Sequence, residues 1–150
     1  MGRTFTSLLT HVTFSTKRRL PLITPDLEAR LLPYLGGIAR QLGGTLLVSN
    51  AVPDHVHLLV ALPPPLAISE AIGKMKGCSS KWVHETFPEA HSFAWQRGFG
   101  AFSVSRSNVP GVVRYIEGQK EHHRKVTFQE EFVRLLERHA IEVDERFLWE

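Results

Sequence analysis

"TLLVSNAVPDHVHLLVAL", residues 45–62, is two apolar runs around a short polar connection at Pro53-Asp54. That pattern predicts two strands joined by a tight turn. Successive side chains of a strand point to opposite faces. In the second strand Val56, Leu58, Val60 and Leu62 therefore share one face, and His55, His57 and Leu59 share the other. Pro63-Pro64-Pro65 closes the run, because proline cannot donate to a sheet ladder. The histidine pair has two readings. It is either two polar residues on a solvated sheet face or a pair of metal ligands. With eight histidines in the chain, roughly 0.4 such pairs arise by chance. Against the first reading, the pair sits mid-strand in an apolar run, where protonated rings would repel. A divalent cation bound to both neutral rings would resolve that.

Upstream, "SLLTHVTFST" (7–16) alternates as a strand, with Leu8, Val12 and Phe14 on one face and His11, Thr13 and Ser15 on the other. "TPDLEARLLPYLGGIARQLGG" (24–44) opens as a helix, with Thr24 at the cap and Pro25 in the first turn; Pro33 and Gly36-Gly37 open the option of a kink. Downstream, "AISEAIGKMKGCSSKWVHETF" (67–87) has Ile68, Ile72, Met75, Ser79, Trp82 and Val83 at helical spacing. "SFAWQRGFGAFSVS" (92–105) reads as a strand whose alternation slips at Gly98-Phe99-Gly100, which predicts a bulge or tight turn. A helix then begins at Ser107 or Asn108, and a last one at the capping box Thr127–Glu130. Strand, helix, strand, strand, helix, strand, then helices is the order of the α+β, ferredoxin-like split βαβ fold. It predicts an antiparallel sheet with helices on one face and a C-terminal helical extension. His55 and His57 are expected on the face the two crossover helices leave open.

Composition narrows the class. One domain spanning 1–150 is expected, and no apolar run approaches the roughly 20 residues that cross a bilayer. The start, "MGRTFTSLLTHV", lacks a signal-peptide layout, so an intracellular protein without membrane attachment is expected. The single cysteine, Cys78, excludes an intrachain disulfide and a cysteine-based zinc site, and is expected to be buried or half-buried. Net charge is +3, with basic clusters at Lys17-Arg18-Arg19, at Lys74, Lys76 and Lys81, and around Arg114. These lean toward a polyanionic partner or are solvated surface.

Two histidines do not complete a catalytic metal site. "RYIEGQ" supplies candidates: Tyr115 and Gln119 lie one helical turn apart on one face. Tyr115 could be a nucleophile and the Gln119 oxygen a neutral ligand, or the two could be core filler and surface. Tyr34, among apolar neighbours, reads as core. His11 is a further candidate on geometry alone. Dinucleotide, phosphate-loop and serine-hydrolase motifs are absent from the sequence.

"PDHVHLLV", "WQRGFGAFSVS" and "VRYIEGQKEHHR", in that order and spacing, resemble the small single-tyrosine HUH transposases of bacterial insertion sequences, the IS-two-hundred-like family that includes REP-associated tyrosine transposases. "HVTFSTKRR" and the terminal "FLW" also fit, so the likeness covers nearly the whole chain. The resemblance implies His55, His57 and Gln119 as ligands of Mg²⁺ or Mn²⁺ and Tyr115 as the nucleophile. It implies single-stranded DNA with hairpin ends as substrate, cut and rejoined through a 5′-phosphotyrosine. A homodimer with composite active sites follows as well, with Lys17, Arg18, Arg19, Lys74, Lys81 and Arg114 as DNA contacts, in a bacterial cytoplasm at the nucleoid. The competing expectation is a domesticated relative that binds or nicks DNA hairpins without mobilising an element.

Overall fold

The computed structural model describes residues 2–144, 146, 148 and 149. Phe147 of the "FLW" match lies outside them. Four strands, β1 (Leu9–Ser15), β2 (Thr45–Val52), β3 (His55–Ala61) and β4 (Gly100–Val104), form one sheet in the order β2-β3-β1-β4. All three strand pairs are antiparallel. Two crossover helices, α1 (Pro25–Gln41) and α2 (Ile68–Thr86), make this the expected ferredoxin-like fold. Three C-terminal helices follow: α3 (Val109–Glu117), α4 (Gln119–His122) and α5 (Phe128–Arg138).

The first sheet face carries the main apolar core. Val12, Phe14, Val56, Leu58 and Val60 meet Leu27, Leu31 and Leu35 of α1 and Ile72, Met75 and Val83 of α2. Each such side chain stabilises the fold by roughly 1.5–3 kcal/mol on burial. Tyr34 belongs to this side, stacked on Trp82 at 4.4 Å. The start of α1 is as expected, with Leu27 N donating to Thr24 Oγ1 at 3.2 Å. Pro33 does not break the helix. The stripe Leu27, Leu31, Leu35 and Ile38 is buried on both sides of it, which outweighs the roughly 3 kcal/mol that an interior proline costs. Cys78, expected to be covered, is exposed on α2, because it falls one position off the stripe of Met75 and Ser79.

The "SFAWQRGFGAFSVS" stretch is a strand only over Gly100–Val104. Before it the chain makes a single bridge, Trp95 to Thr16, and turns at Gly98 with φ +84°. A Cβ on Gly100 would lie 2.6 Å from the Phe132 ring. The slip in alternation is therefore a turn plus a close approach that only glycine permits.

The second face is open to neither solvent nor α1 and α2: the C-terminal helices of the same chain cover it. Ile116 of α3 is buried with Leu9 and Leu59 of the sheet, flanked by Val48, Val112 and Val113. Among the described residues no helix is long and apolar enough to cross a membrane.

Candidate active site

Strand β3 delivers both histidines to the second face, where His55 is 0% and His57 1% exposed. Their outer nitrogens are oriented from behind. His55 Nδ1 donates to Asp54 Oδ1 at 2.7 Å, which leaves Nε2 for the centre. His57 Nδ1 meets His11 Nε2 at 2.8 Å. In the β1–β3 register His11 faces Leu59 and His57 faces Thr13, so the two histidines are diagonal neighbours on one face.

The covering helices supply the rest. Asn50 of β2 donates to the carbonyls of Ile116 (2.9 Å) and Glu117 (3.2 Å), satisfying the end of α3. Gly118 then separates α3 from α4 rather than lying inside one helix. Lys120 ties α4 to Asn50 Oδ1 at 2.7 Å. This sets Tyr115, Gln119, His122 and His123 above the sheet histidines. His123 Nδ1 donates to Val126 O at 2.6 Å, which turns its Nε2 inward.

All of these groups converge on Glu131 of α5, which is 1% exposed. Its Oε1 lies 2.8 Å from His57 Nε2, 3.3 Å from His55 Nε2 and 3.1 Å from His123 Nε2. Its Oε2 accepts from the Tyr115 hydroxyl and from Gln119 Nε2 at 2.9 Å, with His122 Nε2 at 3.3 Å. Tyr115 reaches this cluster within its own chain, so a partner subunit is not needed to bring it there.

Burial dominates the electrostatics. It lowers His57 to about 4 and His11 to about 3, so both rings are neutral. His55 feels the same burial, but its bonds to Asp54 and Glu131 outweigh it and its pKa rises. Burial, joined by Glu131, pushes the Tyr115 phenol up. Burial opposes the Glu131 charge as well, yet the bonds from His123, His55 and His57 hold its carboxyl far below the usual range.

The donor set fits a divalent cation. One ligand atom each from His55, His57, His123 and Glu131 lies within 4.8 Å of all the others. His55 Nε2 and His123 Nε2 face each other at 3.1 Å, although at most one proton can lie between them. The Gln119 amide nitrogen must face the carboxylate, because an amide oxygen would repel it. Gln119 Oε1 is then a buried oxygen with no hydrogen-bond partner among the described residues. A cation between the imidazole nitrogens and the Glu131 carboxylate would answer the first of these.

The structure distributes the basic candidates widely. Arg114 lines a cleft of about 520 Å³ that also opens on Tyr115, His11, Arg138 and His139. Lys17 and Arg18 are exposed in the turn after β1, and Arg19 lies over Trp149 at 5.2 Å. Lys74 and Lys81 lie away from the cluster, across the sheet on α2, beside Glu70 (3.5 Å) and Glu85 (4.0 Å). Lys76 points elsewhere, donating to Gln96 O and, at 2.8 Å, to Gly98 O.

Sequence reasoning singled out neither Glu131 nor Asp54. A signal for Glu131 existed: it stands at i+3 from Phe128 and i−4 from Leu135, on the buried stripe of α5. An acid on an apolar stripe is buried with a partner or not at all.

Comparison with known proteins bears on the same residues. The family described as "Transposase IS200 like" matches residues 4–119, which contain His55, His57, Tyr115 and Gln119 but not His123 or Glu131. The ISDra2 transposase TnpA of Deinococcus radiodurans is 26% identical over 116 residues, covering 74% of this chain and 83% of that protein. The transposase for insertion sequence element IS200 of Salmonella typhimurium is 25% identical, covering 74% and 76%. Among solved structures, a Deinococcus radiodurans R1 protein assigned as a transposase aligns with TM-score 0.63 and 26% identity over 79% of this chain and 96% of its own. A REP-associated tyrosine transposase bound to a REP hairpin shares the fold at TM-score 0.61 and 18% identity, over 84% and 74% of the two chains. With that match spanning most of its length and every strand of its sheet, the chain belongs to the IS200-like transposase family.

Proposed function

We propose that this protein cuts and rejoins single-stranded DNA at transposon ends through a 5′-phosphotyrosine at Tyr115. The observation that carries the reading is the single carboxylate of Glu131. One of its oxygens touches the inward nitrogens of His55, His57 and His123, and the other touches the Tyr115 hydroxyl. A nucleophile and a cation-binding donor set thus stand one small anionic group apart, as in-line attack on a phosphodiester requires.

His55, His57 and Gln119 would hold Mg²⁺ or Mn²⁺, with His123 and Glu131 as added donors. Such an ion, when bound, would neutralise charge on the scissile phosphate. The nitrogen-rich set favours Mn²⁺ over Mg²⁺, which prefers oxygen ligands. Tyr115 forms a bond to phosphorus as the bond from phosphorus to the 3′ oxygen breaks. Glu131, which stays a carboxylate, orients the Tyr115 hydroxyl by accepting its hydrogen bond; the phenolic proton is released to solvent, and the 3′ oxygen leaves with a proton from solvent. The phosphotyrosine keeps the bond energy, so a 3′ hydroxyl can reverse the step at a new junction without ATP. Arg114, in the cleft that opens on Tyr115, is placed to meet a neighbouring phosphate.

The substrate carries hairpin ends in this reading, and the shared fold holds a REP hairpin in one neighbour. The chain works as one domain, in the bacterial cytoplasm at the nucleoid. The resemblance further supports a homodimer, in which exchanged tyrosine helices would rebuild the same contacts between subunits. The test is Tyr115→Phe, assayed on labelled single-stranded DNA spanning the ends of the element. The denaturation-resistant protein–DNA adduct should vanish while hairpin binding stays near wild type. Equal loss of binding and adduct would make Tyr115 structural and overturn the assignment.

A further inference from the structure

Phe128 separates the histidine cluster from a second compartment. Its ring lies 4.4 Å from the His55 ring, and its other neighbours are Phe132 at 5.5 Å and Trp149 at 6.4 Å. Beside these rings opens a cleft of about 290 Å³, whose lips carry Phe99, Arg19 and Arg97. The proposed chemistry uses none of the three.

Both lips are built in unusual ways. Arg18 and Arg19 are consecutive residues in the left-handed region, with φ 55° and 56°, a conformation that non-glycine residues adopt at a cost. They are held there by Arg18 N donating to Gln96 Oε1 at 2.8 Å and Arg19 N to Thr16 O at 3.0 Å. The result places the Arg19 guanidinium 5.2 Å over Trp149. The facing lip, 96–100, is pinned from beneath by Lys76, whose ammonium binds the carbonyls of Gln96 and Gly98. Gly100 lets that lip close onto Phe132. Phe99 at its tip is 38% exposed, which is unfavourable in the free protein.

We propose that this cleft stacks an unpaired base of the DNA strand close to the scissile phosphate, with Arg19 and Arg97 holding that nucleotide's phosphate. The inference rests on the DNA-processing reading above and adds a binding site to it. Ring faces beside guanidinium groups are what single-stranded nucleic acid needs: every base has a π-face, and every link carries a charge. A paired base has both faces covered by its neighbours and cannot enter. The Phe128 ring is shared between this cleft and the histidine cluster, so the stacked base would lie near the cut. Three of the aromatic walls, Phe128, Phe132 and Trp149, follow residue 119, where the family match ends.

The test compares binding of a fluorescent oligothymidylate with that of an abasic strand of equal length, by anisotropy on the full chain. Wild type should prefer the strand with bases. Trp149→Ala and Phe99→Ala should each lose roughly 5- to 30-fold on oligothymidylate and nothing on the abasic strand. Trp149→Phe, which restores a ring, should recover most of the preference. Equal wild-type affinity for both strands overturns the proposal, as does equal loss on both strands in the variants. If wild type binds neither strand, the cleft assignment fails; if it also forms no Tyr115 adduct on DNA spanning the element's ends, the DNA-processing reading fails with it. If wild type forms the Tyr115 adduct but ignores bases, only the cleft assignment fails.

Discussion

The two faces of one sheet are covered in different ways. Toward α1 and α2 the sheet presents Val12, Phe14, Val56 and Leu58, and the cover is aliphatic and aromatic. Toward α3, α4 and α5 it presents His11, His55 and His57, and the cover is Tyr115, Gln119, His123 and Glu131. Both faces are buried, yet only the first gains from burial at every position. The second takes polar groups out of water and recovers the cost through one carboxylate. Stability is concentrated on one face and binding chemistry on the other, although the strands between them are the same.

Substitution on the first face should give the largest effect on stability. Leu31→Ala, at a fully buried position, should cost about 2–5 kcal/mol in chemical denaturation and leave the Mn²⁺ affinity of the folded protein unchanged. A change in Mn²⁺ affinity would show that the two faces are mechanically coupled.

Acid should act on the second face. His57 is held at about 4 against an ordinary 6.5, so the unfolded chain binds the extra proton between those values. The His57 contribution to the stability of the metal-free protein should be full above pH 6.5 and be lost toward pH 4, by on the order of 3 kcal/mol. His11 adds in the same direction. His55, whose pKa is raised, is charged throughout that window and does not offset the loss. Thermal melting against pH in EDTA measures this, and a flat profile would contradict neutral buried rings.

The smallest effect should come from the ring behind the ligands. His11 bonds the outer nitrogen of His57 and so selects which ring nitrogen faces the centre. His11→Phe fills the same space without that bond. It should weaken Mn²⁺ binding by about 10- to 100-fold in calorimetry while the metal-free protein still folds. Unchanged affinity would reduce His11 to a packing residue.

Much of this was readable from local rules. Alternation placed His55 and His57 opposite Val56 and Leu58, and put His11 and Thr13 on the histidine side. The Thr127 cap is formed by Glu130 N donating to its hydroxyl at 3.2 Å. What was missed has a common cause. Glu131 sits in "FQEEF", where the periodicity of the apolar residues says that it is covered but not what covers it. Cys78 differs by one position on a helix, about 100° of rotation, which separates buried from exposed.

By itself, the sequence determined the strand and helix order and the faces of β1 and β3. Strand alternation and helix periodicity are short-range properties of the chain, so a short window suffices to read them. Only the tertiary structure decided that the second sheet face is closed, that α5 brings a carboxylate among four histidines, and that Tyr115 reaches them within one chain. The contacts of Glu131 with the two strand histidines join residues some 70 positions apart. No local pattern encodes them, because they depend on how helices that bury Ile116, Phe128 and Leu135 seat against a surface formed by distant strands.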